Sequence, residues 1–221
     1  MAKRRFIFFD VGNTLLFPNR DRMLAPLPAE KHPTLEGWQA LERRTKVEFD
    51  RALIQGNVDH GFWWTFHTYL LEQVLAFDAG TRDALVENTR QSANWDQIPP
   101  GTREALDRIG RQYSIAVISN ADGKIDAVLD RCGICDCFAS ITDSGNVGHE
   151  KPHPAIFAAA LAAMKADPSE SLYVGDVYSV DFVGARNAGM DAVLFDVAGA
   201  YCGLRDPRVA SLAQLEAWLK E

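Results

Sequence analysis

Residues 5–16 read Arg5-Phe6-Ile7-Phe8-Phe9-Asp10-Val11-Gly12-Asn13-Thr14-Leu15-Leu16. An apolar run stops abruptly on an acid, and small polar residues follow. A strand with no polar position in its alternation has no face for water, so it belongs inside a sheet covered on both sides. Similar runs recur at Ser114–Ile118, Phe138–Ile141, Ser171–Val174 and Ala192–Phe195. Between them lie helical patterns at Thr102–Gln112, Lys124–Arg131, Pro154–Lys165 and Val180–Ala188, the last stopped by Gly189. Strand and helix in alternation predict an α/β fold, a doubly wound, Rossmann-like parallel sheet with right-handed crossovers. Chemistry in such sheets gathers at the carboxyl ends of the strands.

The stretch from Phe17 to Asp96 breaks this rhythm. It holds no convincing strand, and its apolar residues recur at helical spacing, as in Phe62, Trp63, Phe66, Tyr69, Leu70 and Val74. We read residues 17–96 as an inserted α-helical cap domain, and residues 1–16 with 97–221 as the catalytic core. Pro18 and the Pro99-Pro100-Gly101 turn mark its approximate limits. The aromatic stripe Phe62-Trp63-Trp64-Thr65-Phe66 reads as the core of a small helical bundle, with a substrate wall as the alternative. Lys31 and Lys46, in the same stretch, read as solvated.

The chain of 221 residues has 47% apolar and 24% charged residues, a globular composition that excludes wholesale disorder. Its net charge of −7 argues against binding to a nucleic-acid backbone or an anionic membrane surface. The basic cluster Lys3-Arg4-Arg5 is too short to reverse that. Asp10 cuts the apolar run after it below the length of a signal-peptide core, and no apolar stretch approaches the ~20 residues of a membrane span. A cytoplasmic location is expected. Cys132, Cys135 and Cys137 have one zinc-like spacing but no second ligand pair, so they read as small core residues.

Four polar constellations follow the apolar runs: Asp10-Val11-Gly12-Asn13-Thr14, Ser119-Asn120-Ala121-Asp122-Gly123, Lys151-Pro152, and Gly175-Asp176 with Asp181. An acid after a strand is often only a helix cap. Four in this order at one sheet edge make a site. Carboxylates converging there would raise one another's pKa unless a cation compensates, and hard oxygen donors suit magnesium. Asn13 suits the left-handed backbone of a tight loop.

The segments FFDVGNTL, VISNADG, GHEKPHPAIF and YVGDVYSVDFVGARNAGM together resemble the haloacid dehalogenase superfamily, in its subclass with a helical cap between the first and second segments. The resemblance implies a Mg²⁺-dependent phosphatase acting on a small phosphorylated substrate, as a monomer or homodimer. Asp10 would be the nucleophile that forms an aspartyl-phosphate. Ser119 and Asn120 would serve the phosphoryl group, and Lys151 would neutralise charge on both Asp10 and the transferring group. Asp10, the Gly12 carbonyl, Asp176 and Asp181 would hold the metal, with Asp181 acting directly or through water.

Gly12 departs from the family pattern, which places there a second aspartate, the general acid worth ~10²–10⁴ in rate. His32, His60, His67 or a nearby Glu could replace it; the leaving group could need no acid, as in an acyl phosphate; or the reaction could be another one. A metal-independent 2-haloacid dehalogenase and a catalytically weak phosphate-binding or interaction protein are the alternatives. The intact Gly175-Asp176 and Asp181 favour metal and phosphoryl chemistry.

Overall fold

The computed structural model describes residues 4–57, 60–74 and 78–221; Lys3 of the basic cluster lies outside them. Six strands form one parallel sheet: β1 (Phe6–Phe9), β2 (Ser114–Ser119), β3 (Ser140–Asp143), β4 (Ser171–Gly175), β5 (Asp191–Phe195) and β6 (Arg208–Val209). Their spatial order is β3-β2-β1-β4-β5-β6, the doubly wound arrangement. β3 starts two residues later than its apolar run, because Cys135–Cys137 forms a 3-10 turn that delivers Phe138 to it. β6 had no counterpart in the sequence reading, since two residues carry no period.

All four residues of β1 are buried. Ile7 and Phe9 enter one apolar cluster with Leu106, Ile109, Val117 and Val174, whereas Phe6 and Phe8 enter another with Ile118, Phe157 and Tyr173. Both faces are covered by helices, which is why the run does not alternate. Each such Phe contributes about 1.5–3 kcal/mol by leaving water.

Register places the site. Phe9 lies opposite Val117 on one side and Val174 on the other. Asp10, Ser119 and Asp176 therefore emerge close together at one edge. Strands are added on both sides of β1, and this change of direction opens a crevice at its carboxyl end.

Between β1 and β2 the chain forms the helices Leu35–Ile54, Phe62–Gln73 and Ala79–Arg90. Thr34 and Asp78 cap the first and third, accepting from Gly37 N and Thr81 N. Met23, Leu24, Trp38, Leu41, Phe66 and Leu70 form a third apolar cluster inside this insert. The chain enters and leaves it side by side: Phe17 N donates to Gln97 O at 2.8 Å, and Gln97 N to Phe17 O at 3.1 Å. No helix among the described residues is long and apolar enough to cross a membrane.

One local reading needs adjustment, and the cysteine reading holds. The expected helix Val180–Ala188 is a π-helical turn, Tyr178–Phe182, that continues as a short α-helix, Val183–Asn187. Cys132, Cys135 and Cys137 are free thiols packed against the apolar cluster beneath β1.

Candidate active site

Asp10 leaves β1 with its N–H donated to Val174 O at 2.8 Å. The loop then folds back through Asn13, at φ 53°. Asn tolerates this left-handed turn better than most residues. Thr14 Oγ1 reaches back to Asp10 Oδ2 at 3.3 Å.

Lys151 ties the site together. Its Nζ donates to Asp10 Oδ1 at 2.6 Å, Asp181 Oδ1 at 2.8 Å and Tyr173 OH at 2.7 Å, which occupies all three ammonium protons. Asn120 holds the lysine from behind: its Oδ1 accepts from Lys151 N at 2.7 Å, and its Nδ2 donates to Lys151 O at 3.0 Å. Both ends of the amide are thus engaged with backbone. Ser119, buried at the end of β2, lines the cavity beside Asp10.

The π-helical turn brings Asp181 back over β4. Its Oδ2 accepts from Asp176 N at 3.0 Å and Val177 N at 2.9 Å. A Cβ on Gly175 would lie 2.6 Å from Asp181 Cγ, so this approach requires glycine. One oxygen from each of Asp10, Asp176 and Asp181 falls within 4.8 Å of the others.

Lys46 corrects the sequence reading. It is not solvated but 1% exposed, and its Nζ lies 2.8 Å from Glu42 and 2.9 Å from Asp176. Glu42, Lys46 and Asp50 stand four residues apart on one helical face, turned toward the sheet edge. Asp50 completes the contact, accepting from Ser179 N at 2.9 Å and Tyr201 OH at 2.7 Å.

Burial pushes Asp10 up to about 6 against the pull of Lys151, with Asp181 adding to the rise. Burial likewise pushes Asp176 up to about 7, opposed by Lys46 and assisted by Asp10 and Asp181. Burial alone would lower both lysines, but the carboxylates facing them hold each above the ordinary lysine range. Four carboxylates face two ammonium groups here, leaving a buried excess of negative charge.

A cavity of about 340 Å³ opens onto Asp10, Lys151 and Asp176. Phe49, Phe62, Trp63, Trp64 and Trp95 from the insert line it. The aromatic stripe serves both roles: Phe66 lies in the core as expected, Phe62 and Trp63 pack against that core and also line the cavity, and Trp64 lines the cavity.

Trp95 explains Gly12. A Cβ on Gly12 would lie 3.2 Å from the indole ring, which is fixed by a 2.8 Å bond from Nε1 to Thr89 O and by packing 5.2 Å from Trp63. Gly12→Asp is expected to lower stability by about 1–3 kcal/mol through overpacking and to give no faster hydrolysis of alkyl phosphates. Thermal melts with turnover assays check this; faster turnover at an unchanged melting temperature would contradict it.

None of the three histidines considered as substitutes lines the cavity. His67 is buried, bonded through Nε2 to Thr89 Oγ1 at 2.7 Å, and burial pushes its pKa down to about 3. His32 Nε2 lies 3.1 and 2.9 Å from the carbonyls of Leu24 and Leu27, and His60 stacks on Trp64.

Comparison with known proteins gives the family. Residues 5–189 match the family model of haloacid dehalogenase-like hydrolases. Haloacid dehalogenase-like hydrolase domain-containing protein 3 of Xenopus laevis is 33% identical over 140 residues, a match covering 60% of this chain and 56% of that protein. The glyceraldehyde 3-phosphate phosphatase of Pyrococcus furiosus is 29% identical, with 88% of this chain and 82% of that one covered. Among solved structures, the magnesium-bound HAD-hydrolase YfnB of Bacillus subtilis covers 100% of both chains at a TM-score of 0.73 and 18% identity. This chain belongs to the haloacid dehalogenase-like hydrolases.

Proposed function

We propose that the protein is a Mg²⁺-dependent phosphatase of small phosphorylated metabolites, working through an aspartyl-phosphate on Asp10. The carrying observation is a buried carboxylate at the mouth of a cavity, with Lys151 on one oxygen and Asp176 within reach. Asp10 would attack phosphorus, and Lys151 would balance charge on the nucleophile and the transferring group. Ser119 would donate to a phosphoryl oxygen. Asn120 would act through Lys151, by fixing its backbone.

The donor set fits a hard divalent cation: only oxygens, buried, with an uncompensated charge of the right size. Asp10, Asp176 and the Gly12 carbonyl would hold it, with Asp181 acting directly or through water while it accepts from Lys151 and from the backbone of Asp176 and Val177. Bound there, the cation would add positive charge where phosphoryl transfer concentrates negative charge. We place the boundaries of the insert at residues 17 and 96, beside the Phe17–Gln97 pairing.

Named relatives support the phosphatase reading, among them the phosphatase of Pyrococcus furiosus. A panel of phosphate esters and acyl phosphates, assayed with Mg²⁺ and with chelator, tests it. Turnover that chelator abolishes is expected. Activity indifferent to chelator and confined to halogenated acids would overturn the proposal.

A further inference from the structure

The cavity that opens onto Asp10 has an aromatic side and few groups that could supply a proton. Phe49, Phe62, Trp63 and Trp95 form a continuous chain of rings, with centroids 5.5, 5.0 and 5.2 Å apart in that order. Its last member packs on Gly12, two residues from Asp10. Whatever part of a substrate extends from the phosphoryl group into the cavity therefore meets ring faces and edges directly beside the nucleophile.

Several proton donors in the lining are engaged elsewhere. Lys151 has all three N–H groups on Asp10, Asp181 and Tyr173. Ser92 Oγ donates to Asp122, Thr89 Oγ1 to Leu85 O, and Trp95 Nε1 to Thr89 O. Asp181 accepts from Lys151 and two backbone N–H groups, and Asp176 from Lys46. Two exposed carboxyl groups of the lining remain, Glu150 on the loop before Lys151 and Asp122, which accepts from Ser92; Ser119 and Arg90 line the cavity as far weaker acids.

From these two observations we infer that the substrate is an aryl phosphate, a monoester whose leaving group is a phenol held against Trp95 and Trp63. The inference rests on the phosphatase reading and specifies its substrate class. In the first step the bond from Asp10 oxygen to phosphorus forms as the bond from phosphorus to the phenolic oxygen breaks. That oxygen leaves with the electron pair as phenolate and takes a proton from water afterwards. Water then cleaves the aspartyl-phosphate, releasing inorganic phosphate and restoring Asp10. An aliphatic alcohol would have to leave as a far more basic alkoxide, whereas a phenol with a pKa of about 10 leaves without help. Aromatic pairing supplies the binding.

The test uses the intact protein with Mg²⁺ and a series of ring-substituted phenyl phosphates, together with benzyl phosphate and glycerol phosphate. Benzyl phosphate keeps the ring but departs as an alcohol. Phenyl phosphate is expected to turn over about 10²–10⁴-fold faster than benzyl phosphate, the range a general acid would otherwise supply, with rates rising steeply as the phenol becomes more acidic. Trp63→Ala, checked for folding by thermal melt, should raise KM for phenyl phosphate about tenfold. Rates that are flat across the series, or equal for glycerol and phenyl phosphates, would overturn the inference while leaving the phosphatase reading intact. So would a shallow dependence that steepens in Glu150→Gln, because that would assign the proton to Glu150. No turnover of any phosphate would instead defeat the reading beneath it.

Discussion

Lys151→Met is expected to lower the melting temperature by roughly 10 °C and to abolish measurable turnover. Methionine nearly matches the length of the lysine but leaves Asp10 Oδ1, Asp181 Oδ1 and Tyr173 OH facing one another with nothing between them. Removing one partner of a buried pair costs about 3–5 kcal/mol, and in a chain of this size each kcal/mol is worth roughly 2–4 °C. The loss has a definite pH dependence. A carboxylate raised by burial binds its proton more tightly in the folded than in the unfolded chain, so stability falls as pH rises through the folded value. For Asp10 that value is about 6 with Lys151 present, and higher without it. The variant should therefore lag wild type more at pH 8 than at pH 5, and Asp181→Asn added to it should recover part of the deficit. Melting curves across this range decide the matter; equal curves for wild type and variant would mean that Lys151 is not the cation the cluster depends on.

Asp10→Asn should leave the fold standing and remove turnover by a factor on the order of 10⁴ or more. The amide has the shape of the carboxylate, and Lys151 keeps Asp181 and Tyr173, so circular dichroism and the melting temperature should change little. An amide is far too weak a nucleophile to displace a leaving group from phosphorus. Losing activity without losing structure separates a nucleophile from a structural acid. Substantial turnover in this variant would move the chemistry to another residue of the cavity.

Much of this was legible in the sequence because it is local. β1, β2 and β4 show as apolar runs because both faces of the sheet are covered, and the polar residues that end them fall at one edge by register. Asn13 was readable from its tolerance of a left-handed turn. Lys46 was not. Glu42, Lys46 and Asp50 form a charged helical stripe, and such a stripe is solvated unless something distant covers it; here Asp176, Ser179 and Tyr201 do. Trp95 was hidden for the same reason. Its contact with Gly12 joins two segments separated by the whole helical insert, and nothing in either segment announces the other. The division of the aromatic stripe between core and cavity likewise depends on how the Phe62–Gln73 helix is rotated, which periodicity leaves open.

Acid quenching of the wild-type protein and Asp10→Asn, each mixed with acetyl phosphate and Mg²⁺, followed by peptide mass spectrometry, addresses the covalent step itself. The wild-type peptide containing Asp10 should gain the mass of one phosphoryl group, and the variant peptide should not. Steady turnover of acetyl phosphate with that peptide unlabelled, or with the label on a different residue, would contradict the account.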